Sequence, residues 1–296
     1  MTVHPNVKIK LGLNVLRKRE DGFHDIETVF VPCTDISDTL EVIAGDDYSR
    51  TSASLFARYE SGRSLVQGIS PDGKLMITIA REGGVDWDPL SDLCAKAYLL
   101  LAQDHDLPPV KIFLEKNAPV GAGLGGGSSD AAFTLISLNE LFSLGLGKEE
   151  LAGYASLLGS DCAFFIYNRT MMGTGRGEIL EPLDLDLDGH ELKLIVPEGI
   201  SVSTKEAYGG IVPRENPDFK LPEGMKDLPL TEALKLPVEE WKLFVTNDFE
   251  TTVFARHPEL ATIKRSLYES RALYASMSGS GSALFAIYGA NRGREM

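Results

Sequence analysis

The chain has 296 residues, room for one large domain or two ordinary ones, and 43% of them are hydrophobic against 24% charged, the balance of a globular protein with its own core. Its 43 acidic residues outnumber 29 lysines and arginines, and the formal net charge of -14 argues against nucleic acid or an anionic membrane as a main partner. Cys33, Cys94 and Cys162 lie far apart, never form a CxxC pair, and read as buried free thiols of a reducing compartment. The N-terminus lacks the basic-then-apolar pattern of a signal peptide and no apolar run is long enough to span a membrane, so the expected location is the cytoplasm.

Residues Val7 to Leu16 alternate in type and predict a strand. Val7, Ile9, Leu11, Leu13 and Val15 share one parity, expected to face a core. Lys8, Lys10, Gly12 and Asn14 share the other, expected to face water or a ligand. After an Asp21-Gly22 turn come strands at Ile26 to Pro32 and Asp38 to Ala44, then a polar, irregular stretch from Tyr48 to Ser70 with weak strand character. Asp92 to Asp104 predicts an amphipathic helix stopped by Pro108-Pro109, and Val110 to Leu114 a strand. Helices follow at Asp130 to Ser143 and Glu149 to Leu158, then a turn, an apolar segment and a strand between Gly159 and Met172. Leu192 to Pro197 reads as a strand, 213 to 230 as an exposed loop, Asn247 to Arg256 and Pro258 to Ser270 as helices, and Ala272 to Ser276 with Ser282 to Tyr288 as a strand pair around the small-residue run MSGSGSA. No internal repeat is visible.

Between the strand and the helix lies PVGAGLGGGSSDAA, from Pro119 to Ala132. Glycines allow positive φ and close approach of the backbone to an anion. The helix that follows offers unpaired N–H groups and a partial positive charge at its N-terminus. Ser128, Ser129 and Asp130 suit an N-cap and could face a bound metal. The run therefore predicts a phosphate cradle. Its GxGxxG match lacks the acidic residue a dinucleotide site needs about 20 residues on. No GK[ST] follows the glycines, as a Walker A loop requires, and the HRD and DFG triplets of protein kinases are missing.

PVGAGLGGGSSDAA resembles the phosphate-binding motif of the GHMP kinases (galactokinase, homoserine kinase, mevalonate kinase, phosphomevalonate kinase), and MSGSGSALF at 277 to 285 is similar to their C-terminal glycine motif. Within that superfamily VKIKLGLNVLRKREDGFHDIETVF, LGSDCAFF and NDFE at 247 to 250 resemble the patterns of the 4-diphosphocytidyl-2-C-methyl-D-erythritol kinase family, so that the matches span residues 7 to 285. The resemblance implies an α+β fold: an N-terminal domain like ribosomal protein S5 domain 2, with a left-handed βαβ unit, and a ferredoxin-like C-terminal domain. The expected division is 1–160 and 161–296. It also implies phosphorylation by ATP of the 2-hydroxyl of a small molecule bearing a cytidine diphosphate group, in the non-mevalonate isoprenoid pathway, by a monomer or weak homodimer.

Carried over residue by residue, the resemblance makes Asp161 the group that orients and deprotonates the hydroxyl, although Asp161 alone reads more readily as a helix cap after Gly159. Lys8 is its partner, a cation that favours the charged base or stabilises the transferring phosphoryl group. Pro119, Gly121, Gly123, Leu124, Gly125, Gly126, Gly127, Ser128 and Ser129 would hold the triphosphate, with the Ser128 hydroxyl a candidate ligand of Mg²⁺. Lys116 reads either as a nucleotide contact or as a surface lysine at a strand end. For the substrate, Phe23 and Tyr208 are expected to sandwich the pyrimidine, His24 to bond its edge, and Thr204 and Lys10 to lie nearby. Lys10 stands where the family has asparagine, an added cation near phosphate or Asp161. Two alternatives remain open: another GHMP kinase of a small molecule, or a catalytically silent nucleotide-binding homologue.

Overall fold

Residues 1–289 are described by a computed structural model. Its elements begin with β1 (Thr2–Val3), β2 (Asn6–Lys18), β3 (His24–Ser37), β4 (Thr39–Ala44), α1 (Ser52–Arg58), β5 (Leu65–Ile69), β6 (Leu75–Ala80), α2 (Leu93–Asp104) and β7 (Val110–Glu115). After the glycine run come α3 (Gly126–Leu141), α4 (Lys148–Leu158), α5 (Cys162–Tyr167), β8 (Met171–Thr174), β9 (Ile179–Pro182) and β10 (His190–Ile195). The chain closes with α6 (Thr204–Tyr208), α7 (Leu230–Ala233), α8 (Phe249–Arg256), α9 (Pro258–Glu269), β11 (Tyr274–Met277) and β12 (Leu284–Gly289). They form two compact units interleaved along the chain. The first comprises Met1–Lys8, Pro32–Val120 and Gly125–Arg169; the second comprises Ile9–Val31, Gly121–Leu124 and the chain from Thr170 on. A linear division into 1–160 and 161–296 cuts across this arrangement, and its last residues, 290–296, lie outside the described ones.

In the first unit the sheet order is β1-β4-β7-β6-β5. β6 and β7 run parallel, joined through α2, and the other neighbours are antiparallel. Asp92 caps α2, its carboxylate accepting from Cys94 N at 2.9 Å. The stretch expected to be irregular holds α1 and β5. Buried Glu41 on β4 organises its start, accepting from Ser49 Oγ (2.6 Å), Arg50 N (2.9 Å) and Thr51 Oγ1 (2.8 Å). The apolar segment after Asp161 is the helix α5, which ends where Asn168 adopts φ 46°.

In the second unit β2, β3, β8 and β9 form one sheet and β10, β12 and β11 an antiparallel second. β2 is buried on both parities, contrary to the expected open face. At Gly12 (φ 67°) a Cβ would sit 2.7 Å from Leu230 of α7, so at that position the polar parity is covered by packing directly on the backbone. The NDFE segment ties this unit together. Asn247 Nδ2 donates to the carbonyls of Met277 (2.7 Å) and Gly279 (2.8 Å). Asp248 accepts from Val15 N and, through both oxygens, from Arg214 at 2.8 and 2.9 Å. Glu250 accepts from Met277 N at 2.8 Å and pairs with Lys264.

Candidate active site

Gly121, Gly123 and Gly125 all adopt positive φ, between 74° and 76°, which a side chain would resist. α3 starts at Gly126, four residues earlier than expected. Left-handed Gly125 is therefore the N-cap, and Ser128, Ser129 and Asp130 lie inside the first turns. That correction favours the cradle, because the unpaired N–H groups of a helix start belong to Gly126, Gly127 and Ser128. Gly127 is exposed, Ser128 half-buried and Ser129 buried. Pro119 is half-buried and Leu124 fully buried, so both shape the run from behind. A Cβ on Gly123 would land on the Ser278 carbonyl oxygen, and Ala122 O accepts from Ala283 N at 3.1 Å. The second small-residue run thus packs on the first within the second unit.

Lys8 and Asp161 meet in the first unit. Lys8 Nζ lies 3.3 Å from Asp161 Oδ2, with the lysine side chain 2% and the aspartate 21% exposed. Asp161 occupies the N-cap position of α5 but makes no capping hydrogen bond. The capping alternative is overturned: the carboxylate faces the ammonium instead. A methyl group on Gly125 would sit 3.0 Å from Lys8 Cε and 3.2 Å from the Phe165 ring. The glycine run therefore closes directly against the lysine that holds the aspartate. Burial pushes the neighbouring Cys162 thiol up to about 11, against a hydrogen bond with Ser128. All three cysteines are free and buried.

Lys116 is not a surface lysine. It is buried at the end of β7, and its ammonium binds Asp38 and, at 2.5 Å, Asp130 Oδ2. Burial works against its charge, but Asp130 and Asp38 outweigh burial and hold its pKa above the ordinary value. Burial, with the Asp38 charge beside it, drives the Asp130 carboxyl well up against the opposing Lys116 cation. Neither Asp38 nor the pairing of Asp130 was anticipated; partners 78 residues apart leave no local signal.

In the second unit His24 stacks on Tyr208 with ring centroids 4.5 Å apart and 17° between planes, and Phe249 meets Tyr208 edge-on at 4.7 Å. Phe23 is 53% exposed and lies under the Arg176 guanidinium at 4.9 Å. The expected sandwich of Phe23 and Tyr208 is therefore not the arrangement found, since one face of Tyr208 already carries His24. Both rings of the His24–Tyr208 stack line a cavity of about 490 Å³, with Lys18, Pro213 and Asn216. Burial first, then the Lys18 cation, hold the His24 imidazole below its ordinary pKa. Thr204 is exposed at the start of α6, and Lys10 sets its ammonium 4.9 Å over the Phe30 ring.

The profile of the GHMP kinases N terminal domain matches residues 92–169, and that of the GHMP kinases C terminal domain matches 232–295. The 4-diphosphocytidyl-2-C-methyl-D-erythritol kinase of Bacteroides fragilis is 43% identical over 97% of this chain and 92% of its own. The chain belongs to the 4-diphosphocytidyl-2-C-methyl-D-erythritol kinase family. The family member from Cytophaga hutchinsonii is 42% identical over the same 97% of the chain and 92% of its own. A crystal structure of 4-(cytidine 5'-diphospho)-2C-methyl-D-erythritol kinase superposes with TM-score 0.70 at 30% identity, covering 97% of this chain and 89% of that one. The fold is accordingly the α+β GHMP kinase fold, with its N- and C-terminal domains. A homoserine kinase structure from Cytophaga hutchinsonii, at 16% identity and TM-score 0.61 over 97% of this chain and 86% of that one, shares the fold alone. Among the described residues no helix is long and apolar enough to cross a membrane.

Proposed function

We propose that this chain transfers the terminal phosphoryl group of ATP to the 2-hydroxyl of 4-diphosphocytidyl-2-C-methyl-D-erythritol, in the cytoplasm, as a step of the non-mevalonate isoprenoid pathway. The observation that carries the chemistry is the Lys8–Asp161 pair, 3.3 Å apart and packed against Gly125 at the mouth of the phosphate cradle. Phosphoryl transfer needs its nucleophile positioned and its oxygen charges balanced, and asks little covalent chemistry of the protein. Asp161, the more exposed partner, accepts the proton of the attacking hydroxyl at a carboxylate oxygen. Lys8 fixes the carboxylate and adds positive charge where the phosphoryl group moves. The N–H groups at the start of α3 hold the phosphates.

Mg²⁺, when bound with the nucleotide, would neutralise charge on the phosphates. The donor set suits a metal held mainly by phosphates and water. No group of three or more His, Cys, Asp or Glu able to hold a metal exists among the described residues. The half-buried Ser128 hydroxyl is the side chain we assign to it. For the cytidine end, the flat stack of His24 on Tyr208 beside the cavity supports reception of the base, with neutral His24 offering one ring nitrogen to the pyrimidine edge. We take Phe23 and Thr204 as rim contacts and Lys10 as a substrate-side cation.

The test is ADP release by the purified protein with 4-diphosphocytidyl-2-C-methyl-D-erythritol, set against mevalonate and homoserine. Turnover confined to the cytidine substrate is expected. Absence of turnover with it, or faster turnover with another alcohol, overturns the reading.

A further inference from the structure

Three buried side chains at the base of the glycine run take no part in the chemistry above. Lys116 leaves β7 just before the run, and Asp130 lies on α3 just after it, 14 residues on. The side chains of Asp38, Lys116 and Asp130 are 0%, 4% and 1% exposed. Asp38 reaches the same place from the start of β4. One of its oxygens binds Lys116, while the other accepts the N–H groups of Asn117 (2.6 Å) and Ala118 (2.7 Å), the two residues before Pro119. A methyl group on Gly126 would meet Lys116 Nζ at 3.4 Å and Ala118 Cβ at 3.3 Å. The ammonium thus lies against the first residue of α3, and the strand that enters the run is joined to the helix that leaves it through one cation.

We infer that Asp38, Lys116 and Asp130 are positioning residues: together they fix the N-terminus of α3 against the exit of β7, and so set the aim of the N–H groups that hold the ATP phosphates. The proposal rests on the reading of the run as the ATP cradle, and it removes Lys116 from direct contact with the nucleotide. The geometry favours this over a nucleotide contact for a plain electrostatic reason. An ammonium gripped by two buried carboxylates has little positive field left for a phosphate. Moving it outward would leave both carboxylates buried and unpaired. Asp130 Oδ1 is buried without a hydrogen-bond partner, so Oδ2 on Lys116 is the hold on that side chain.

The two readings separate on the carboxylates. Asp130→Leu removes the grip on α3; Asp130→Asn keeps a carbonyl oxygen for Lys116. In Asp38→Asn one oxygen still serves Asn117 and Ala118, but the amide turns two donors toward the ammonium. Affinity for ATP is measured by calorimetry without the second substrate, alongside KM for each substrate and thermal stability. With cradle aim at stake, Asp130→Leu and Asp38→Asn should weaken ATP about tenfold or more, Asp130→Asn less than about threefold, and KM for the cytidine substrate should stay within about twofold. If Asp130→Leu fails to fold, Asp38→Asn decides alone. Unchanged or tighter ATP binding in the charge-breaking variants overturns the inference, because a lysine freed from its carboxylates would then be serving the nucleotide. An equal loss of affinity for both substrates overturns it too, as general loosening. Failure of the function reading shows separately, as absent turnover in the unmodified protein that still binds ATP.

Discussion

Two buried lysines come against the start of α3, and they differ in how open the carboxylates beside them are. Lys8 Nζ lies 3.3 Å from Asp161, which keeps 21% of its side chain exposed; Lys116 binds Asp38 and Asp130, both closed off from solvent. At Gly125 the neighbour is Lys8 Cε, and at Gly126 it is Lys116 Nζ. A carboxylate left partly open beside its lysine offers an oxygen that can take a proton. Two carboxylates closed around theirs offer none. Sequence type and burial are the same for both lysines; access to the carboxylate separates a reacting pair from a structural joint.

The sharpest break in that comparison is Asp161→Asn, which keeps shape and removes the base. Turnover should fall by about 10²- to 10⁴-fold with KM for ATP little changed, as steady-state ADP release would show. Lys116→Met should act on the other side of the contrast. Two carboxylates left buried without their cation should cost about 3–5 kcal/mol of unfolding free energy in denaturant titration. Lys8→Met should lower kcat by roughly 10²-fold with a smaller loss of stability, since Asp161 can turn to water; a stability loss as large as that of Lys116→Met would erase the distinction. Tyr208→Ala, far from either lysine in its chemistry, should raise KM for the cytidine substrate about tenfold through lost stacking and leave KM for ATP alone.

The smallest effect is one of pH. The folded pKa of His24 lies below its ordinary 6.5, so the unfolded chain takes up that proton first. His24 therefore leaves stability intact above pH 6.5 and subtracts from it as pH falls through 6.5 toward the folded value. Melting temperatures from pH 7.5 to 5 should drop a little less in His24→Gln than in the unmodified protein. A steeper drop in the variant would contradict the burial of a neutral imidazole on Tyr208.

Much of this was legible in the sequence where the signals were local. Asp92 before an amphipathic run marked α2, Pro258 opened α9, and the glycines between a strand and a helix marked the cradle. The apolar CAFFIY segment was ambiguous because six such residues carry no period; Asn168 in a left-handed conformation decides for a helix. Alternation along β2 located Lys8 on the right parity but not its burial, since Gly125 and Asp161, which lie against it, are more than 100 residues along the chain. The clamp on Lys116 was illegible for the same reason. Asp38 is an unremarked acid before a strand until the fold brings it 78 residues forward. The aromatic site was half legible: its residues could be named, but which ring stacks on which depends on χ angles that no spacing encodes.

The anchoring of β2 has a consequence for biosynthesis. Val15 donates its N–H to Asp248, which is made 233 residues later. At ordinary translation speeds of about 5–20 residues per second, that bond can form only roughly 10 to 50 s after Val15 is made. Throughout that interval Leu13 and Val15 lack Phe249, Val253, Leu260, Met277 and Leu284, the late residues of the buried cluster they join. Aggregation of chains truncated before Asn247 is expected from the same seam, which Leu13 also bridges by bonding Thr246 and Asp248.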